Sequence, residues 1–264
     1  MSIKLSFECP VKHLDEYAPH MDYDFALAHL VMESDEYREY YLKQSKKRLV
    51  ILDNSMFELG HPLSSKEIAD CAKQINAHEV VAPDYLNVEQ TVNAVQELKI
   101  ELDKQQIKAD VLGVCQGQSF EEWIHCHRQL IHIPFVKKIC ICFNPLFKLG
   151  VPKEHEGSTT KTWMWTRIHF MNFLDQNGFF NHDKTYHLFG MSDGLEMKYQ
   201  KVHSKIVSCD SSSPIIHGWN KVRYTENGLP GEKIATKVDF NAEIPKARKE
   251  DIMFNIRKIK KWAK

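Results

Sequence analysis

The chain has 264 residues, 43% hydrophobic and 27% charged, with 35 basic and 35 acidic side chains and no formal net charge. That length is enough for one large core or two small ones, and the balanced charge excludes a protein that holds nucleic acid by bulk basicity alone. No run of about 18 apolar residues exists and Met1-Ser2-Ile3-Lys4 opens no signal-peptide core, so a soluble cytoplasmic protein with no membrane partner is expected.

Eight apolar runs read as strands, at about 2–8, 26–32, 48–53, 79–83, 109–115, 137–142, 185–190 and 205–210. Helical periodicity fills the intervals near 36–47, 64–76, 88–104, 119–131, 161–176 and 194–203, and a basic segment at 247–262 closes the chain. Several helix starts carry their caps: Ser64-Ser65-Lys66-Glu67 has the Ser-x-x-Glu form, and Asn87 and Ser119 each precede a periodic run. Alternation at this spacing predicts an α/β fold, a (β/α)8 TIM-type barrel formed by residues 1–264 as a single domain, with a basic helical segment at about 245–264. An open doubly wound sheet is the competitor, but no Gly-x-Gly-x-x-Gly turn follows the first strand.

Two segments interrupt the alternation. Residues 148–161 are rich in Gly, Pro and Thr, and read as a lid or mobile surface loop; residues 220–241 hold Gly228-Leu229-Pro230-Gly231, which suggests turns and a small hairpin. Seven cysteines, several inside apolar runs, read as buried thiols. Cys140 and Cys142 invite a zinc reading, but no second close pair follows, so no metal and no cofactor are expected.

Charge is unevenly spread. From Lys246 to Lys264 there are eight basic and two acidic residues, a local +6 that can hold phosphate, with Lys258, Lys260 and Lys261 as candidate nucleic-acid contacts. The same segment also reads as an amphipathic helix burying Ile252, Ile256, Ile259 and Trp262.

Strand ends carry the polar residues that suggest chemistry. In a parallel barrel the C-terminal ends of strands face the active site, which selects Asp53, Asp84, Gln116, Asn144, Asp193 and Asp210. An Asp beside a Gln can read a purine edge: the carboxylate accepts guanine N1–H and N2–H, and the amide donates to O6 or N7. Asp193 reads better as a helix cap, and Trp163, Trp165 and Phe170 as core; Phe57 and Phe143 are better placed to sandwich a base. His217 fits either a phosphate or ribose contact or a satisfied loop histidine.

Four segments, in order over about residues 48–218, resemble those of the tRNA-guanine transglycosylases. Asp53-Asn54-Ser55-Met56-Phe57 is similar to their Asp-Ser-Gly-Gly-Phe, and Gly113-Val114-Cys115-Gln116-Gly117 to their Gly-x-x-Gln-Gly. His187-Leu188-Phe189-Gly190-Met191 resembles a Leu-x-Gly-hydrophobic segment, and Asp210-Ser211-Ser212-Ser213-Pro214 the Asp-x-x-x-Pro segment holding the nucleophile. The resemblance implies barrel enzymes that swap guanine in a nucleic acid for a 7-deazaguanine. Asp210 would attack C1′, Asp53 would handle the proton of the departing and incoming base, and Asp84 with Gln116, Gly117 and Gly190 would hold the base.

The chain departs from that pattern in ways that select among its members. The family's zinc cluster is missing, since no cysteine follows Cys209, the chain is shorter than typical tRNA enzymes, Ser55-Met56 stands for Gly-Gly, and Phe143-Asn144-Pro145 occupies the place of a Gly-Gly base-contact segment. A compact relative without zinc is most similar to the DNA 7-deazaguanine transglycosylases of phages and genomic islands, which implies DNA and a 7-deazaguanine such as 7-cyano-7-deazaguanine as partners, and the host cytoplasm if phage-encoded. The alternatives are a tRNA-guanine transglycosylase, a non-catalytic nucleic-acid-binding barrel subunit, and an unrelated sugar hydrolase using two carboxylates. A protein partner or a homodimer stays open.

Overall fold

The computed structural model describes residues 2–234 and 237–264. Its strands are β1 (Lys4–Ser6), β2 (Asp24–Leu27), β3 (Val50–Asp53), β4 (Glu79–Val81), β5 (Asp110–Cys115), β6 (Val136–Cys142), β7 (Thr185–Phe189) and β8 (Ile206–Asp210). They form one eight-stranded parallel sheet in the order β1-β8-β7-β6-β5-β4-β3-β2, alternating with helices, the (β/α)8 TIM-type arrangement predicted above. The reason is compositional: β2 and β3 are buried at every position, as strands covered on both faces must be.

By contacts the chain divides into two compact units. The unit Tyr23–Ile141 holds β2 to β5 and most of β6. Its helices begin where the caps predict. Ser64 Oγ accepts from Glu67 N–H while Glu67 reaches back to Ser64 N–H, and Asn87 and Ser119 accept from the amides of Gln90 and Glu122. The expected strand at 26–32 needs correction: β2 ends at Leu27 and a helix occupies Ala28–Glu33. A short apolar run does not declare its period, and this one turns as a helix that buries Ala28, Leu30 and Val31.

The other unit comprises Met1–Asp22 and Cys142–Lys264, of which Met1, Ala235 and Thr236 lie outside the described residues. Here β1 pairs with β8 and β8 with β7. The terminal helix runs Lys246–Ala263 and buries Ile252, Ile256, Ile259 and Trp262, as its periodicity predicts. Asn255 anchors it, donating to Val222 O at 2.9 Å and accepting from Tyr224 N–H at 2.9 Å.

Three expectations in this unit change. The expected helix at 194–203 shortens to Glu196–Gln200, because Asp193 and the residues just after it are drawn into side-chain and loop contacts. The segment 148–161 is not a loose lid: Leu149 N–H donates to Thr166 Oγ1 at 3.2 Å, Lys153–His155 forms a 3-10 turn, and a helix already begins at Thr159. Among the described residues of 220–241 the expected hairpin reduces to one antiparallel bridge, Thr225 with Gly228. A helix absent from the expectations, Ser213–Trp219, follows β8 directly.

Candidate active site

Each unit carries its own cluster of polar side chains at the ends of its strands. In the unit Tyr23–Ile141, Asp53 is the last residue of β3, and its Oδ2 accepts from Ser55 N–H at 2.7 Å. That bond closes a tight turn, with Ser55 in the left-handed region at φ 58°. Ser55 Oγ accepts from His29 N–H at 3.1 Å and shares a 2.9 Å bond with His29 Nδ1. These contacts offset a conformation that costs a non-glycine residue about 1 kcal/mol.

Asn54, which the sequence reading passed over, links this turn to the next strand. Its Nδ2 donates to Ala82 O and to Asp84 Oδ1, both at 2.7 Å. The Gln116 amide donates to the other Asp84 oxygen. Asp84 is buried, and that burial pushes its carboxyl above the usual value while the Gln116 and Asn54 hydrogen bonds oppose the shift. A carboxylate has about four lone-pair sites, so two amide donors leave room for two more. Asp84, Asn54 and Gln116 therefore form a cluster in which two amides orient one carboxylate.

Gly117 is required where it stands. At φ 149° a Cβ would lie 2.6 Å from Glu122 Cβ, so no side chain fits, and the Gly117 carbonyl accepts from Trp123 Nε1–H at 3.1 Å. Phe57, in the turn of helix Met56–Leu59, is 55% exposed and presents its ring to solvent beside the Asp53 turn.

The second unit holds Asp210 at the end of β8, 5% exposed. Its Oδ1 accepts from His187 Nε2–H at 2.8 Å and from Gly190 N–H at 3.2 Å. His187 Nδ1 shares a 2.9 Å bond with Ser208 Oγ, so the imidazole is held at both nitrogens. The Glu8 side chain lies close to Asp210 and helps hold its carboxyl down. Burial alone would raise the Asp210 carboxyl, but the His187 bond and charge, Glu8 and Gly190 N–H together bring it below the usual value. Asp210 is thus a buried yet ionised carboxylate with one oxygen fixed.

Arg167 fixes the backbone that supplies one of those donors. It is fully buried, pairs with Glu196 through two 2.7 Å bonds, and donates to Phe189 O at 2.9 Å and Gly190 O at 2.8 Å. Gly190 sits at φ 63°, and a Cβ there would lie 2.7 Å from Phe143 Cδ1. Phe143 is accordingly packed in place. The Lys233 ammonium lies 3.8 Å from its ring centroid and donates to Met191 O at 2.6 Å, and Trp163 meets the ring edge-on. Desolvation brings the Lys233 amine down to about 8. The expectation that Phe143 sandwiches a base is corrected: its neighbours already occupy the ring.

His217 is corrected as well. It is 1% exposed, its Nδ1–H donates to Ser213 O at 2.7 Å and its Nε2 accepts from Ile234 N–H at 3.2 Å, so both nitrogens are used inside the fold and burial lowers its basicity. It braces the helix Ser213–Trp219 rather than facing a phosphate. On the terminal helix, Lys258 pairs with Glu226 beneath a half-buried stem, and Lys260 donates to His20 O at 2.9 Å and Asp22 at 3.1 Å, leaving Lys261 as the exposed member of the three. Asp193 does not cap the helix Glu196–Gln200 as expected, since the N-cap is Leu195 without a side-chain bond; it ties a turn and a loop instead, accepting from Leu195 N–H, Leu229 N–H and Lys161.

Glu8, Lys233, Arg167 and Asn54 were missed because nothing local marks them. Only the position of Glu8, at the end of the first strand-like run, carried a signal. Among the described residues no group of three or more His, Cys, Asp or Glu is arranged to hold a metal ion, and no helix is long and apolar enough to cross a membrane. No protein-family model matches the chain, and no curated protein matches it significantly.

Proposed function

We propose that the chain is a nucleic-acid guanine transglycosylase that replaces guanine in DNA by a 7-deazaguanine, such as 7-cyano-7-deazaguanine, through a covalent glycosyl-aspartate. Asp210 carries the reading. A nucleophile for C1′ must be ionised, oriented and dry, and Asp210 combines burial with a lowered pKa and an Oδ1 held by His187 and Gly190.

The remaining roles follow from what each side chain can do. Asp210 attacks C1′, the glycosidic C–N bond breaks, and Asp53 gives a proton to the leaving base. The incoming 7-deazaguanine loses a proton to Asp53 and displaces the aspartate, so two inversions retain the configuration. Asp84 accepts from the guanine N1–H and N2–H, with Gln116 and Asn54 orienting it. Phe57, whose ring is exposed, replaces Phe143 as the stacking surface. The target guanosine must leave its stack, because C1′ and the base nitrogen are not reachable within one.

The likeness in the turn after β3 supports the reading. The family's glycine falls at Ser55, whose left-handed backbone is a conformation that favours glycine, here held by the His29 bonds instead. The test is incorporation of radiolabelled guanine into duplex DNA, single-stranded DNA and unmodified tRNA. The expected result is label in DNA that falls by roughly 10³-fold or more with Asp210→Asn. Label in tRNA alone would move the substrate to RNA, and incorporation untouched by Asp210→Asn would reject the covalent route.

A further inference from the structure

The unit formed by Met1–Asp22 and Cys142–Lys264 brings a second carboxyl against Asp210 that no role above uses. In the β1–β8 ladder Ser6 stands opposite Asp210, and Ser211 N–H donates to Ser6 O at 3.1 Å, so the chain leaving β1 runs past the end of β8. Glu8 lies two residues beyond Ser6, half-buried, which brings its carboxyl beside Asp210, whose acidity it affects.

Two ionised carboxylates are acceptors only, and no hydrogen bond can form between them unless one keeps a proton. Asp210 is the member held ionised, because its Oδ1 already takes two donors, His187 Nε2–H and Gly190 N–H. The other charges facing the pair are the Lys233 ammonium, from the segment after Gly231, and Arg167, which is matched by Glu196; Cys209, beside Asp210 on β8, is a thiol that burial keeps protonated.

We propose that Glu8 is a positioning residue for Asp210: the two carboxyls share one proton, Glu8 carries it, and its O–H donates to Asp210. This rests on the nucleophile role given to Asp210. During the first displacement an Asp210 oxygen bonds C1′ and the Glu8 proton stays where it is. In the second, the C1′–O bond breaks, its electron pair returns to Asp210, and the Glu8 O–H meets the charge that develops there. Glu8 thereby makes Asp210 a better leaving group, and its loss should strand the covalent intermediate.

The test pairs a readout independent of activity with one that depends on it. Carbon-13 carboxyl titration of the wild type should show the pair ionising in two steps, on either side of the ordinary value of about 4, and in Asp210→Asn the Glu8 step should return toward about 4.3. In exchange assays Glu8→Gln, which keeps an N–H donor, should lose about tenfold or less, whereas Glu8→Ala should lose about 100-fold and accumulate a glycosyl adduct on Asp210 visible by mass spectrometry. A Glu8 carboxyl that titrates near 4.3 in the wild type and is unmoved by Asp210→Asn overturns the proposal, whether or not exchange is seen. Coupled titration in a protein that exchanges no guanine would instead reject the transglycosylase reading and leave the carboxyl pair standing. Should Glu8→Ala fail to fold, the titrations of the wild type and Asp210→Asn decide alone.

Discussion

Replacing Arg167 with methionine removes the guanidinium that clamps the end of β7. The bonds lost are those to both Glu196 oxygens at 2.7 Å, to Phe189 O at 2.9 Å and to Gly190 O at 2.8 Å. Both charged side chains are 0% exposed, so Glu196 would be left buried with only the Gln200 amide as donor, a situation that costs about 3–5 kcal/mol. For 264 residues, an unfolding entropy of about 2.1 cal/mol/K per residue converts this into a fall in Tm of about 5–9 °C. The double variant Arg167→Met with Glu196→Gln removes the stranded charge and should recover about half of the loss or more. Urea unfolding of the wild type, both single variants and the double variant closes the cycle. A single-variant loss under about 1 kcal/mol, or strictly additive effects, would refute the argument.

Lys233, with its amine brought down to about 8, gives a pH signature. Its folded value lies below the unfolded one of about 10.4, so the unfolded state binds the extra proton between them and stability should rise with pH across that window, by no more than about 3 kcal/mol. Lys233→Met should flatten that rise relative to the wild type, and identical pH curves would count against a desolvated amine. Gly117→Ala should cost about 1–3 kcal/mol in chemical unfolding, since its Cβ would meet Glu122 at 2.6 Å; a neutral result would mean the loop simply shifts. If the terminal helix holds nucleic acid, Lys261→Ala should reduce the salt slope of binding by about 1, with a smaller effect from Lys258→Ala because Glu226 already pairs with Lys258. Equal slopes for wild type and Lys261→Ala would remove that surface from the interface.

The strand ends were legible because a buried parallel strand writes itself as an apolar run, and the first polar residue after it is conspicuous. Asp53, Asp84 and Asp210 were found that way, and the Ser64, Asn87 and Ser119 caps by their local spacing. What depends on distant partners was not legible. Arg167 sits in the middle of a helix and becomes meaningful only once Glu196 and the Gly190 carbonyl lie against it. His217 reads in sequence like a candidate ligand, and only the amide of Ile234 and the carbonyl of Ser213 show that its nitrogens are used. The run after Leu27 failed for another reason: six apolar-rich residues are too few to show whether the period is 2 or 3.6.

The division of the chain also sets an order of assembly during synthesis. Tyr23–Ile141 is contiguous and can collapse once its last strand clears the ribosome, but the unit holding Asp210 needs both termini, because Ile3 N–H bonds Ala263 O at 3.0 Å and β1 waits for β8. At about 5–20 residues per second, the stretch from Ile141 to Ala263 takes on the order of ten seconds to emerge. Throughout that interval the nascent polypeptide carries Asp84 with its two amide partners, while Asp210 still lacks the β1 segment that will lie beside it.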